Sequence, residues 1–260
     1  MLDSVLRVLG VYKLYEGRLK AQIERQMVPS HIGIILDGNR RWAASMGLSN
    51  GIGHEEGANR VEELLDWCHE LGIKIITLYV LSTENLDRTP DELRDLLALI
   101  EVRLTGLLSD ERITKYRVNV RAIGQLDLLP ASLREVLSEI ETKTAEFKDH
   151  YLNIAVAYGG RAEITDMVRA VAQDVKAGRL APEEITEETI GKRLYTSYLP
   201  NQEPDMIIRT SGEERMSGFL LWQGAYSELV FVDVFWPAFR KIDLMRAIRT
   251  FQRRTRRHGK

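Results

Sequence analysis

The chain carries a single cysteine, Cys68, among 260 residues. No intramolecular disulfide can form, and no cysteine-based zinc site can be assembled. Cys68 sits among helix-forming residues and is read as core packing. No apolar run approaches the ~20 residues that a membrane-spanning helix needs. Nor is there an excess of one charge: 36 Lys and Arg face 38 Asp and Glu, for a net charge of −2. General nucleic-acid binding is therefore not expected, because phosphate neutralisation shows as a basic excess. Arg7, Lys13, Glu16 and Arg18 break up the apolar runs near the start, so no secretory leader is read there and a cytoplasmic location is expected. The histidines His31, His54, His69, His150 and His258 are scattered and form no metal-ligand constellation. No repeat or low-complexity linker divides the chain. Its length suits one sizeable domain.

What is present is an alternation. Short apolar, β-branched runs at residues 32–36, 75–81, 118–123, 152–158, 206–209 and 229–232 read as strands. Between them lie amphipathic stretches at residues 55–71, 89–108, 131–147 and 162–176, and a basic helix starts near residue 244. Thr89 is expected to cap the second stretch, with Pro90 at its first position. The pattern predicts an α/β fold with a mostly parallel sheet of about six strands, flanked by helices. Before it, Val5, Val8, Leu9, Tyr12, Tyr15, Leu19 and Ile23 form an apolar stripe. Residues 1–28 are read as an amphipathic helix packed on the body or on a partner subunit, with a peripheral membrane helix as the alternative. Residues 29–260 are expected to form one main domain.

Ligands in such sheets bind outside the carboxyl ends of the strands. Three polar loops follow strands directly. The first holds Asp37, Gly38, Asn39, Arg40, Arg41 and Trp42: a carboxylate, a glycine allowing close backbone approach, an amide and two guanidiniums. Arginine grips phosphate oxygens in bidentate fashion, and an aspartate can hold a magnesium ion shared with them. A haloacid-type phosphatase would need a second Asp two residues before Asp37, where Ile35 stands. The second loop holds Ser82, Thr83, Glu84, Asn85, Leu86 and Arg88. The third offers Arg209, Arg215, Met216 and Ser217, a second set of anion ligands.

The segments His31-Ile-Gly-Ile-Ile-Leu-Asp-Gly-Asn-Arg-Arg-Trp42, Ser82-Thr-Glu-Asn85, Arg209-Thr-Ser-Gly-Glu213 and Phe219-Leu-Leu-Trp-Gln223, with Tyr226 and Glu228, resemble the undecaprenyl diphosphate synthase family of cis-prenyltransferases. The match runs from about residue 29 to the C-terminus. The resemblance implies a magnesium-dependent condensation of isopentenyl diphosphate with an allylic diphosphate, and an apolar tunnel between sheet and helices for the growing chain. It implies catalytic roles for Asp37 and Asn85, with Asp37 and Glu228 at the metal. Gly38, Asn39, Arg40, Arg41, Trp42 and His54 would serve the allylic diphosphate. Arg209, Arg215, Met216 and Ser217 would serve isopentenyl diphosphate, with Ser82, Thr83, Glu84, Leu86 and Arg88 between the sites. Met46, Leu65, Val80 and Leu97 are candidate tunnel residues. A homodimer is implied as well, the ending Arg257-His258-Gly259 resembling one that reaches into the neighbouring subunit.

Two departures from the long-chain pattern stand out. Asn50 stands where many long-chain members have Arg, so one allylic-phosphate ligand is expected to be lacking or supplied by Arg40, where they often have Gly. Leu86 replaces their usual Trp, and Val80 is bulkier than Ala. These favour a short product of the cis-farnesyl type, the alternative being a long-chain undecaprenyl or decaprenyl synthase making a lipid carrier. A non-catalytic partner subunit, the reading from another class, would have lost Asp37, Asn39, Arg41 and Glu84.

Overall fold

The computed structural model describes residues 11–23 and 26–254 of the chain. Six strands form one sheet in the order β3-β4-β2-β1-β5-β6. They are β1 His31–Ile35, β2 Ile75–Tyr79, β3 Val118–Ile123, β4 His150–Ala155, β5 Met206–Arg209 and β6 Glu228–Phe231. Every neighbouring pair is parallel. All residues of β1, β2 and β5 are buried. That is why these runs are apolar without alternation: helices cover both faces. The chain steps from β1 to β2 on one side and later to β5 on the other, so a topological switch point lies between β1 and β5.

The helices described are α1 Val11–Ile23, α2 Asn39–Ser45, α3 Asn50–Glu70, α4 Pro90–Ser109, α5 Glu111–Lys115, α6 Ala131–Thr144, α7 Gly160–Lys176, α8 Glu187–Gly191 and α9 Lys241–Arg253. Strand periodicity sends Ile34 and Leu78 to one face and Ile35 and Tyr79 to the other. The first face packs on α3, α4, α6 and α9 through Leu64, Ile100, Leu137 and Ile248. The second packs on Tyr158, Phe219 and Leu220. Cys68 lies in the first core, where burial pushes its thiol pKa up and leaves it inert.

Several boundaries differ from expectation for local reasons. Helix α3 starts at Asn50, with Ser49 Oγ accepting from the Ile52 N–H at 3.5 Å. Its first turns are glycine-rich and polar, so the apolar stripe that betrays the helix begins later. Strand β4 starts at His150 and stops at Ala155, beyond which Ala157 turns left-handed at φ 47°. Helix α9 begins at Lys241, where Asp243 Oδ2 accepts from the Arg240 N–H at 3.1 Å. Thr89 precedes α4 as expected, but its side chain makes no capping bond.

Helix α1 lies against α9. Leu19 and Ile23 are buried, Lys241 Nζ sits 3.1 Å from Glu16 Oε1, and Gln252 Nε2 donates to the Ile23 carbonyl at 3.0 Å. Val5, Val8, Leu9 and the ending Arg257-His258-Gly259 lie outside the described residues. No helix among the described residues is long and apolar enough to cross a membrane.

The start of α2 is pressed onto α3. A Cβ on Gly53 would stand 2.4 Å from the Asn39 carbonyl oxygen and 2.9 Å from Ala43 Cβ. Gly53→Ala is expected to cost about 1–3 kcal/mol, since the clash is with backbone. At about 2–4 °C per kcal/mol for a chain of this size, thermal unfolding should resolve the loss. An unchanged melting temperature would contradict the close packing.

Candidate active site

The carboxyl ends of β1 and β5 are neighbours, Ile35 pairing in register with Arg209. Two residues beyond Ile35, Asp37 meets the Arg209 guanidinium. Arg209 Nη2 donates to Asp37 Oδ2 at 2.7 Å, and Nη1 donates to Ser217 Oγ at 2.7 Å and to the Arg215 carbonyl. The Arg209 side chain is 6% exposed and that of Asp37 27%. Arg41, from the first turn of α2, adds a second bond to the same carboxylate. Its Nη2 donates to Asp37 Oδ1 at 3.1 Å and to Ser211 Oγ at 2.6 Å, and its Nη1 donates to Glu213 Oε1 at 3.1 Å. Arg215 also pairs with Glu213, at 2.6 Å. Burial alone would raise the Asp37 pKa. The hydrogen bond and charge of Arg209, then of Arg41, outweigh it and hold the carboxyl below its ordinary value.

The backbone is shaped for this meeting. Gly38 sits at φ 107°, and a Cβ there would lie 2.8 Å from Phe235 Cδ1 and 3.1 Å from Ser211 Cβ. Only glycine turns the chain so abruptly from β1 into α2. Thr210 Oγ1 accepts from the Asp37 N–H at 3.0 Å and donates to the Asp37 carbonyl at 2.7 Å. In the loop after β5, Ser211 and Ser217 are left-handed at φ 77° and 47°, a conformation that non-glycine residues seldom adopt.

A second cationic group stands around a carboxylate in the first turn of α4. Glu92 Oε1 lies 3.0 Å from Arg88 Nη1 and 3.7 Å from both Arg40 Nη1 and His54 Nε2. Burial first, then the charge of Arg88, keep the His54 pKa below its usual value. Both groups open on one cavity of about 1410 Å³. That exceeds the ~300–1,000 Å³ usual for small-molecule pockets. Its mouth is charged, and its body, between the sheet, α3 and α4, is walled by Val61, Leu65, Val80, Leu96, Leu99 and Ile100.

Buried polar atoms normally find partners. Five buried side-chain nitrogen or oxygen atoms among the described residues have none within the chain, and three of them are Asn39 Oδ1, His54 Nε2 and Arg209 Nε. All three belong to residues that line the cavity.

Not every expected residue lines this cavity. Ser82, Asn85 and Arg88 do, while Thr83 and Leu86 do not. The loop is a 3₁₀ turn, Thr83–Asp87, in which residues three apart share a face. Leu86 packs on the main core and Met216 on the second. Trp42 is half-buried but outside the lining, Met46 is exposed, and Leu97 packs into the core. Ser82 and Asn85 also cap each other. The Asn85 N–H donates to Ser82 Oγ, and the Ser82 N–H to Asn85 Oδ1, each at 3.2 Å. This reciprocal cap explains the pair without Thr89.

Glu228 is not brought to Asp37 within one chain. It opens β6 opposite Met206, at the far end of the strand pair from Arg209, and its Oε2 lies 3.0 Å from Arg254 Nη1. No cluster of three or more His, Cys, Asp or Glu side chains exists among the described residues. An all-protein metal cage is therefore not formed by these residues. A hard magnesium ion, held through one carboxylate with substrate phosphates and water, fits the Asp37 donor set. Ser211, Glu213 and Glu92 are site residues that the sequence reading missed. The first two lie inside the Arg-Thr-Ser-Gly-Glu run, which was the available signal.

An α/β sheet whose switch point carries two guanidinium clusters beside a cavity with apolar walls suits ligands with an anionic head and an apolar tail. The family model described as putative undecaprenyl diphosphate synthase matches residues 35–259. The chain belongs to that family, the cis-prenyltransferases, and is a prenyl diphosphate synthase. It is 55% identical over 250 residues to the tritrans,polycis-undecaprenyl-diphosphate synthase (geranylgeranyl-diphosphate specific) of Methanopyrus kandleri, covering 96% of this chain and 92% of that one. The protein of the same name from Thermoplasma acidophilum is 48% identical, covering 99% and 100%. Among solved structures, lavandulyl diphosphate synthase from Lavandula x intermedia, in complex with dimethylallyl diphosphate, superposes with a TM-score of 0.84 at 33% identity, covering 90% of this chain and 99% of that one.

Asp37→Asn is expected to leave the buried Arg209 charge uncompensated and to cost about 2 kcal/mol at neutral pH, below the full buried-pair penalty because Asp37 is partly exposed. A carboxyl whose folded pKa is depressed stabilises the fold above its unfolded pKa of ~3.9 and loses that contribution as pH falls through the folded value. The gap between wild type and variant in urea unfolding should therefore narrow below about pH 4. A gap independent of pH would rule out the ion pair as its source.

Proposed function

We propose that the chain extends geranylgeranyl diphosphate with successive isopentenyl diphosphate units to an undecaprenyl-length cis-polyprenyl diphosphate. The sequence departures favoured a short product, and this is the longer alternative. It is supported by relatives that carry this starter and product in their names at 46–55% identity over nearly the whole chain. The observation that carries the reading is the Asp37–Arg209 pair at the mouth of a cavity with apolar walls.

Arg209, Arg215 and Ser217 hold the diphosphate of isopentenyl diphosphate. Gly38, Asn39, Arg40, Arg41 and His54 receive that of the allylic substrate, with the first-turn N–H groups of α2 pointing at it. Arg88, joined to Arg40 and His54 through Glu92, adds charge to that second site. Asp37 holds magnesium, which when bound neutralises charge on the departing diphosphate. The allylic C–O bond breaks with its electron pair going to that diphosphate. The isopentenyl double bond supplies the pair for the new C–C bond, and a proton leaves the adjacent carbon, with Asn85 steering its removal. Side-by-side gripping of two heads makes the encounter effectively unimolecular, the main source of acceleration available to these residues.

The protein acts as a homodimer in solution. Leu221, Trp222 and Tyr226 are exposed apolar side chains just before β6, the unpaired edge of the sheet, and suit a self-complementary surface. The product tail gives it peripheral membrane contact.

Incubation with labelled isopentenyl diphosphate, magnesium and a choice of C10, C15 or C20 starters, followed by chromatography of dephosphorylated products, tests the reading. Preference for the C20 starter and a main product of undecaprenyl length are expected. Products that stop at farnesyl length would restore the shorter assignment, and no incorporation would reject both. Asp37→Ala is expected to lower turnover by about 10²–10³-fold or more.

A further inference from the structure

The cavity does not stay apolar along its length. From the rim at His54 and Arg88 it runs between α3 and α4, past Leu65 and Ile100, and there the lining becomes charged. Arg103, in the middle of α4, donates from Nη1 to Glu62 Oε1 at 2.8 Å and from Nη2 to Asn59 Oδ1 at 2.7 Å. Both acceptors are on α3, so one guanidinium clasps the two helices together. Arg103 and Glu62 both line the cavity. Glu62 is eight residues beyond His54, about 12 Å further along α3 at 1.5 Å per residue.

One turn past Arg103, Gly106 also lines the cavity, and a Cβ added there would meet nothing within 4 Å. Glycine is unfavourable inside a helix, and no neighbouring atom here demands it. Gly106 is exposed, so the room it leaves opens the seam toward solvent. The ion pair stands at a partly exposed seam, its side chains 33% and 49% exposed, so it ties the two helices together where the cavity nears solvent.

We propose that the Arg103–Glu62–Asn59 clasp and the gap at Gly106 determine the length of the product. The proposal rests on the reading that this cavity holds the growing prenyl chain. An extended isoprene unit advances four carbon–carbon bonds, roughly 5 Å. The tail therefore reaches the clasp with about its third unit, and every later unit must find space beyond it. A closed clasp fixes the width of the seam between α3 and α4. It also sets a charged pair against the hydrocarbon, whose passage strips water from that pair unfavourably. Gly106 supplies the space in which the tail turns past it. Opening the clasp favours longer tails, and filling the gap favours shorter ones.

The test compares product distributions made from one C20 starter and isopentenyl diphosphate by the full-length wild type and four variants. Arg103→Met and Glu62→Gln should each move the main product longer by about one isoprene unit or more, because an apolar or uncharged seam no longer resists the tail. Gly106→Leu should move it shorter by about two units or more, by filling the space. Arg103→Lys, which keeps the charge, should stay near wild type. With a C10 starter, whose two units stop short of the clasp, the rate of the first isopentenyl addition should remain within about twofold in all of them, because the diphosphate-binding rim is untouched. A merely structural clasp would change thermal stability and leave the distribution as it was. Wild-type distributions from Arg103→Met, Glu62→Gln and Gly106→Leu alike would overturn the proposal while leaving the condensation reading intact. A wild type that elongates no starter would overturn both.

Discussion

One guanidinium holds the site together. Arg209 is nearly buried at the end of β5, and its charge is tolerable there because Asp37 faces it from the end of β1 and Ser217 accepts its other arm. The parallel register that sets Ile35 beside Arg209 brings these strand ends together. The bond crosses the switch point of the sheet, where strands diverge to either side and leave a crevice open. Removing either partner strands the other, so the geometry is held stiffly before any ligand arrives. A carboxylate already pinned by two arginines also keeps its pKa below the ordinary value.

The rest of the site is arranged outward from that bond. Thr210 fixes the Asp37 backbone, Gly38 turns the chain into α2, and the glycines of α3 let α2 lie close. Arg41 links Asp37 to Ser211 and Glu213, and so joins the first loop to the third. The second group, around Glu92, keeps Arg40, His54 and Arg88 near one another while no anion is bound. Each set of positive groups is balanced by a carboxylate, which limits the cost of gathering like charges in a crevice.

Much of this was legible in the chain itself. Continuous apolar runs such as Ile207 and Ile208 read as buried parallel strands because nothing polar interrupts them. Polar loops immediately after such strands pointed to the switch point. Strand β3 and strand β5 matched their expected limits, whereas α3 began earlier because its capped first turns lack an apolar face. The 3₁₀ turn was the less readable feature. A run of motif letters from Ser82 to Arg88 does not say which side chains share a face, so Thr83 and Leu86 were grouped with residues they turn away from. Glu92 was hidden in plain helix grammar, since an acidic residue in a first turn already has a dipole reason to be there. Glu228 was placed at the metal by its motif, yet in one chain it lies at the opposite end of the sheet and meets Arg254.

The most direct measurement of the central claim is calorimetric titration of magnesium diphosphate into the wild-type protein and into Arg209→Gln, both shown to be folded. If the Asp37–Arg209 pair organises the anion site, the variant should bind at least about tenfold more weakly, some 1.4 kcal/mol. Equal affinities in the two proteins would contradict the account.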